Sequence, residues 1–207
     1  MMQSNIREKS IVIVRNMGLE PNEKLPYLDV SLELRTKDEV VFRALCLNGL
    51  LAASCGFNKS KTIEWLKREN IYEYLSLKEK LFFESDIGDV SVIKSQVEGL
   101  WMLVWALSFF NKMDFGNICG GNLVYMLPKL NIMENYVGFY KAAKLRSHIE
   151  VLEALDISYL LHSALIQAEL DGVKTPDRIK YYVIYERRRA LEWLVSNEDW
   201  DEVNLDT

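Results

Sequence analysis

The segment from Asp89 to Phe110 constrains the fold more than any other part of this chain. Large apolar side chains recur at spacings that cover most of the circumference of a helix, and such a helix is usually buried at the centre of a domain. Its longest apolar run is far shorter than the about 20 residues that cross a bilayer. We therefore expect a central core helix at about 89–110, built on Val97, Leu100, Trp101, Val104, Trp105 and Leu107.

The rest of the chain also follows the helical period. No segment alternates apolar and polar residues over a useful length, and no repeat period is visible. Capping boxes at Thr36 with Glu39 and at Ser76 with Glu79 mark two helix starts. These patterns predict an all-α fold, a single-domain irregular multi-helix bundle over residues 1–207. The expected helices are Ser4–Met17, Thr36–Gly56, Lys59–Glu69, Leu77–Glu84, Asp89–Phe110, Ser147–Asp171 and one that begins at Thr175.

The composition is that of an ordinary globular chain. Its 207 residues are 27% charged and carry a net charge of −5, which argues against nucleic acid as a partner because binding the phosphate backbone needs a basic face. The three cysteines stand at unrelated spacings without a CxxC pair, which favours buried, reduced thiols. The opening residues MMQSNIREKS lack the apolar core of a secretory signal. We expect a cytoplasmic protein with no membrane span.

One charged residue is out of place in the last helix. Glu186 projects into the middle of an apolar face, where an unpaired carboxylate would cost several kcal/mol. A buried cation must therefore meet it, and we expect Arg43 of the second helix, with Arg35 as a second candidate. The next arginines project elsewhere: Arg187 and Arg189 to the flanks of that face, and Arg188 to the opposite side.

Two further acids are close to apolar helix faces: Glu98 lies next to one, and Asp156 lies within another. Asp156 could form one polar cluster with Glu39, Arg43 and Glu186. Further candidate members of this cluster are Arg35, Tyr159, His162 and Arg187. We favour a structural ion network that fixes how the helices dock. The alternative is an acid/base or anion-binding site with shifted pKa values, in a solvent-reached pocket lined by Arg43, Asp156 and Glu186.

The chain after the last helix is acidic. Asp199, Asp201 and Asp206 resemble the first half of a calcium loop, but no glycine stands at the sixth place, which argues against calcium. Trp200, between two of these acids, is expected to anchor the tail on the core and to hold Asp199 and Asp201 near the arginines of the ERRR run. The alternative reading of that run is a site for an anionic ligand.

Signals for metal, cofactor or nucleophilic chemistry are weak. His148 and His162 stand fourteen residues apart, about 21 Å along a helix, so they cannot share one ion. FGNICGGN is neither a phosphate-binding nor a dinucleotide loop, and GxSxG and HExxH do not occur. The tryptophans at helical spacing favour core packing over cofactor stacking. We expect no metal, no cofactor and no catalytic residue, and a hydrogen-bonded structural role for His162.

Four stretches resemble a known bacterial family, the one catalogued as domain of unknown function 4272. They are LRTKDEVVFRA at Leu34–Ala44, LWMLVWAL at Leu100–Leu107, LRSHIEVLEALDISYLLHSA at Leu145–Ala164, and ERRRALEWL with the following DWDEVNLDT. The resemblance implies one mostly helical domain, although Leu160, Leu161 and Ser163 depart from its pattern. The positions that match family motifs are Arg35, Glu39, Arg43, Trp105, Asp156, Tyr159, His162, Glu186, Arg187, Trp193, Asp199, Trp200, Asp201 and Asp206.

The expected function follows from the acidic surface and from the lack of a catalytic motif. We expect a non-enzymatic cytoplasmic protein that binds another protein, as an accessory or immunity-type factor. The alternative is an enzyme or a binder of small anionic ligands that uses the Arg/Glu/Asp cluster. Assembly as a homo-oligomer is a third possibility that the sequence leaves open.

Overall fold

Nine α-helices make up most of the computed structural model, which describes residues 2–85 and 87–206. No strand occurs among these described residues, so the predicted all-α, single-domain fold is confirmed. The predicted range 1–207 includes Met1, Asp86 and Thr207, which lie outside them. The helices are α1 Met2–Asn16, α2 Lys37–Ser54, α3 Lys59–Arg68, α4 Leu77–Ser85, α5 Val90–Ser95, α6 Val97–Ala106, α7 Val137–Ala142, α8 His148–Leu170 and α9 Tyr181–Val195.

Local signals set several helix ends. The side chain of Thr36 accepts a hydrogen bond from the Glu39 N–H, and Glu39 accepts one from the Thr36 N–H, which completes the predicted capping box of α2. Ser76 and Glu79 exchange the same two bonds at the start of α4. Beyond the end of α2, Gly56 has a φ of +98°, a left-handed conformation that favours glycine.

The predicted central helix is divided into α5 and α6 at Gln96. The Gln96 N–H turns back to the Ile93 carbonyl at 3.1 Å, and its side-chain oxygen accepts from Nε1 of Trp200 at 3.1 Å. A tertiary contact therefore holds the residue at which the helix breaks. The second piece is the buried centre, because α6 packs against α2, α5 and α9. It ends at Ala106 and not at Phe110.

The last helix begins later than the sequence predicts. Thr175 and Pro176 were expected to open it, but α9 starts at Tyr181, and the chain before it makes a turn in which Ile179 N–H bonds the Pro176 carbonyl at 2.9 Å. Ile179 is buried in a small second core between α1 and α8. Burial of Ile179 there explains why a good local start signal was overridden.

Two arginines join the start of one helix to the end of another. Arg35, just before α2, donates from its backbone N–H to the Leu194 carbonyl at 2.9 Å and from Nε to the Trp193 carbonyl at 2.8 Å. Its guanidinium stacks on the Trp193 ring at 4.2 Å and pairs with Glu39 at 3.1 Å. The C-terminal end of α9 is thereby held by the N-terminal end of α2.

Arg146 repeats this arrangement just before α8. Its backbone N–H donates to the Ala106 carbonyl and its Nε to the Trp105 carbonyl, each at 2.8 Å, and it stacks on the Trp105 ring at 4.5 Å. It pairs with Glu150 at 2.7 Å, as Arg35 pairs with Glu39. The sequences LRTKDEV and LRSHIEV are the matching signal. We call these two junctions the arginine clamps; they share a short motif, which does not amount to a repeat period along the chain.

Candidate functional site

A groove of about 690 Å³ lies beside the C-terminal segment 196–206, which we call the tail. Its walls are the N-terminal turns of α2, the segment that leads into α4, and the tail itself. Seven residues that the sequence singled out line this tail groove: Arg35, Glu39, Arg43, Trp193, Asp199, Trp200 and Asp201. The others lie elsewhere: Asp156, Tyr159, His162, Glu186, Arg187 and Asp206. The rest of the groove lining is Glu73, Tyr74, Leu75, Ser76, Leu77, Lys78, Glu198 and Glu202.

Arg35 shapes one wall of the tail groove. Besides clamping α9, it donates from Nη2 to the carbonyl of Glu198 at 2.6 Å, which fixes the first part of the tail. Glu39 opposite it caps α2, and the pKa of its carboxyl is lowered, first by the hydrogen bond from the Thr36 hydroxyl. The side chains of Arg35 and Glu39 therefore both make structural contacts, and their charges neutralise each other.

The base of the groove holds a buried ion pair. Arg43 is 5% exposed and donates from Nη2 to Glu79, which is 3% exposed, at 2.5 Å. Burial is the largest single influence and would lower the pKa of Arg43, but the charge of Glu79, its hydrogen bond and weaker charges nearby together raise the pKa. Nε of Arg43 has no hydrogen-bond acceptor within the described part of the chain. The sequence pattern identifies Glu79 only as a helix cap, because a capping glutamate gives no sign that its carboxylate also meets a buried cation.

Trp200 anchors the tail on the core, as predicted. It is 3% exposed and packs edge-on against Trp193 with ring centroids 5.6 Å apart. The guanidinium groups of Arg43 and Arg189 lie over its ring at 5.2 and 4.6 Å. An indole that meets two cations and one buried acceptor is held more firmly than apolar contact alone would hold it.

The predicted role of the tail acids is wrong for Asp201. It does not pair with the arginines of the ERRR run; its carboxylate accepts from Ser76 Oγ at 2.9 Å and from the Lys78 N–H at 3.0 Å. It therefore caps the start of α4, where the free N–H groups and the positive end of the helix dipole favour a carboxylate. Asp199 and Glu202 are exposed at the mouth of the groove.

The tail groove is negatively charged. Among the described residues, its lining contains six carboxylates, from Glu39, Glu73, Glu198, Asp199, Asp201 and Glu202, and three cations, from Arg35, Arg43 and Lys78. Both arginines are already neutralised by ion pairs, with Glu39 and Glu79 respectively. The charge presented to a ligand is thus dominated by acids, beside the half-exposed ring of Tyr74 and the exposed side chain of Leu77.

Glu186 is buried as predicted, but its predicted partner is wrong. It is 2% exposed and lies 2.7 Å from Nη2 of Arg189, one turn along the same helix, and 3.3 Å from Ser95 Oγ. Arg43 is occupied by Glu79 instead. Burial raises the pKa of Glu186, and the charge of Arg189 only partly opposes this. Projection of a single helix finds the buried acid, whereas the choice between two nearby cations depends on how the helices cross.

The other two buried acids also have cations of their own. Asp156 accepts from Arg7 at 2.8 Å, and Glu98 accepts from Arg187 at 2.6 Å. Arg187 further donates to the carbonyl of Asn117 at 2.8 Å and to that of Asp114, so it ties the irregular loop to α9. Arg7 was not predicted as the partner of Asp156, although it stands seven residues before Val14, two helical turns along the apolar face of α1.

His162 lies in a second, separate polar site. Its Nδ1 is 2.7 Å from Nη1 of Arg188 and its Nε2 is 3.0 Å from the hydroxyl of Tyr181, so Nδ1 is the acceptor. Burial, and then the charge of Arg188, lower its pKa from 6.5 to about 4. The histidine is neutral at ordinary pH. This geometry is consistent with the predicted structural role.

Arg188 projects away from the apolar face that contains Glu186, but it is nevertheless buried. It is 3% exposed, stacks on the ring of Tyr159 at 4.7 Å, and donates to the carbonyls of Leu205 and Asp206 at 3.0 and 3.3 Å. The tail folds back over this side of α9 and covers it. A helical projection cannot show that covering, because the covering residues come after the helix.

Neither a metal site nor a membrane span was found in residues 2–85 and 87–206. No group of three or more histidines, cysteines, aspartates or glutamates there is arranged to hold an ion. Within the same residues, every helix is too short or too polar to cross a bilayer. His148 is the first residue of α8, and His162 lies fourteen residues further along the same helix.

The comparison with known families gives one match. The model of the family described as Domain of unknown function (DUF4272) matches residues 6–203. No curated protein and no solved structure matches the chain.

Proposed function

This chain belongs to the DUF4272 family, and from that premise we propose that it is a non-enzymatic protein that acts by binding another protein. The binding site is the tail groove, and the partner presents a basic segment to it. We place the protein in the cytoplasm of a bacterium, as an accessory or immunity-type factor.

The charge of the tail groove carries this proposal. Its acids outnumber its cations, and the two arginines in it are already paired, so lysine or arginine side chains are the groups it would attract. Aromatic and aliphatic walls, from Tyr74, Leu77 and Trp193, can cover the stems of such side chains. These two features together fit a protein segment better than a small anion.

The distribution of the buried charges supports binding over catalysis. The enzyme alternative required Arg43, Asp156 and Glu186 to line one solvent-reached pocket. Each of them instead has its own ion-pair partner, Glu79, Arg7 and Arg189 respectively, and each is at most 5% exposed. We read these pairs as structural, and no geometric observation favours a reaction at any of them.

The proposed location is consistent with the state of the cysteines. Cys46, Cys55 and Cys119 are all free thiols, which persist in a reducing compartment. Burial raises the pKa of Cys46 to about 12, so that thiol is also unreactive at ordinary pH.

A short lysine-rich peptide and a triple neutral variant test the proposal. Glu73→Gln/Asp199→Asn/Glu202→Gln removes three exposed groove charges that support no helix cap. At roughly 0.5 kcal/mol for each exposed charge, the variant should bind the peptide about tenfold more weakly by calorimetry at low salt. Added salt should weaken wild-type binding as well.

A matched control separates the groove from the overall charge. Glu64→Gln/Glu169→Gln/Asp177→Asn has the same net charge as the groove variant, but its changes lie at exposed positions outside the groove. It should bind the peptide like the wild type. Equal loss in both variants, or no binding by the wild type, would contradict the proposal. So would a stable dimer, seen by light scattering, that only the groove variant disrupts, because the occupant would then be a second copy.

A further inference from the structure

An aliphatic slot of about 330 Å³ adjoins the tail groove. Leu50, Leu81, Val92 and Ile93 supply much of its wall, and Lys78 and Asp201 line both the slot and the groove. The two cavities therefore meet at the start of α4. This volume is at the lower end of the range of roughly 300–1,000 Å³ found for ligand pockets.

The mouth of the slot is apolar and open to solvent. Ile87 and Val92, which line it, are 58% and 55% exposed, and Leu77 of the adjoining groove is 71% exposed. Gly88 lets the chain approach Ile93 closely at the slot, because a Cβ there would lie 3.3 Å from Cδ1 of Ile93 and the φ of +144° disfavours any side chain. Exposed aliphatic residues grouped around a cavity indicate a surface that another molecule covers.

Arg189 connects the slot with the tail groove. It lines the slot, but its Nε and Nη2 are buried and have no aligned hydrogen-bond acceptor among the residues that the structure describes. Its contact with Glu186 is an ion pair at 2.7 Å. Trp200, which lines the groove, stacks on the same guanidinium and so connects the two cavities.

We propose that the slot holds a large aliphatic side chain from the same basic segment that occupies the tail groove. The partner is thus a protein segment in which one apolar anchor residue stands within a few residues of lysines or arginines. This inference rests on the proposed function. It adds an apolar contact, in the slot, to the charged contacts that the tail groove makes with the partner. The negative groove selects the basic residues by charge, and the continuity of the cavities requires the anchor to be close to them in sequence.

A set of matched peptides measures how much the anchor side chain contributes to the binding affinity. Each peptide carries a pair of lysines and one leucine placed from one to four residues away, and each has a partner with serine in place of leucine. Burial of a leucine side chain should make the best leucine peptide bind wild-type protein about tenfold or more tightly than its serine partner. The affinity of the serine peptides measures the contribution of the charged groove without the apolar anchor.

Two variants on one short helix locate the effect. Val92→Asn changes a slot residue, whereas Val90→Asn makes the same change on α5 at an exposed position outside the slot lining. Val92→Asn should abolish the leucine preference and leave the serine peptide bound as before. Val90→Asn should retain the preference.

The possible results separate this inference from the proposed function. If leucine and serine peptides bind equally at every spacing while the triple groove variant still weakens both, the slot is not an anchor site and the groove proposal stands. Loss of the preference in Val90→Asn as well as in Val92→Asn also overturns the inference. If no peptide binds the wild type, both proposals fail together.

Discussion

At the scale of single residues, three of the described buried carboxylates each pair with a buried arginine. Arg7 meets Asp156, Arg43 meets Glu79, and Arg187 meets Glu98, with side chains at most 5% exposed in each pair. Such pairs add little net stability relative to apolar residues, but removing one partner costs about 3–5 kcal/mol because it leaves a charge unpaired. We regard them as devices that fix which helices dock together.

His162 supplies a test of this polar interior by pH. Its folded pKa is about 4 against 6.5 for an ordinary histidine, so between these values the unfolded chain takes up a proton that the folded chain does not. The free energy of unfolding should therefore fall as the pH is lowered through this window, by at most about 1.4 kcal/mol for each pH unit. Above pH 6.5 the effect should vanish.

His162→Asn isolates this contribution, because the amide can still accept from Arg188 but does not titrate. Glu186 and Glu192 have raised pKa values, first through burial, and they act in the opposite sense, which makes a difference measurement necessary. Urea unfolding at several pH values should show that the difference in free energy of unfolding between wild type and variant changes below pH 6.5. A gap that stays constant down to about pH 4 contradicts the assignment.

At the scale of helices, each of the two arginine clamps supplies hydrogen-bond donors to the C-terminal end of another helix. The last carbonyls of a helix have no partner within it and need donors from outside. Arg35 and Arg146 each supply a backbone N–H and a guanidinium to such carbonyls, and each precedes a capping box that starts its own helix. One short sequence motif thus ends one helix and begins another.

Conservative substitutions test the clamps. Arg35→Lys and Arg146→Lys keep the charge but cannot reproduce the fork of donors or the flat stacking on tryptophan. Each should lower the free energy of unfolding by about 1.5–3 kcal/mol, the range of hydrogen bonds to charged groups.

Arg15→Lys is the matched control for the clamps, because Arg15 makes only exposed ion pairs with Glu20 and Glu23. It should change the free energy of unfolding by less than about 1 kcal/mol in the same denaturation experiment. If a clamp variant changes the free energy of unfolding as little as this control does, the shared clamp geometry contributes little to stability.

At the scale of the whole molecule, the crossing of α6 and α9 places the tail. Gly99 lies at this crossing, where an added Cβ would be 3.4 Å from the carbonyl oxygen of Glu186 and 3.5 Å from Trp200. These are ordinary contact distances, so one methyl group fits and a larger side chain does not. The close approach also brings Glu98 and Glu186 near each other, with the charge of Glu98 contributing to the raised pKa of Glu186.

A size series at Gly99 tests the crossing. Gly99→Ala should keep or raise stability, by up to about 1 kcal/mol, because alanine favours the helix and fits the space. Gly99→Leu should cost about 1–3 kcal/mol and should displace Trp200, with a change in tryptophan fluorescence. Thermal unfolding together with emission spectra would measure both effects, and equal tolerance of alanine and leucine would show that the helices are not closely packed there.

The sequence by itself determined the helical segments other than α7, their caps and the inward direction of Glu186, Asp156 and Trp200. Those features depend on local periodicity and on hydrogen bonds between residues a few positions apart, which a single chain segment already contains. The partners of the buried charges, the break at Gln96, the late start of α9 and the burial of Arg188 were decided by tertiary structure. Each depends on groups far apart in sequence that compete for the same charge, donor or space, and only the packed helices settle that competition.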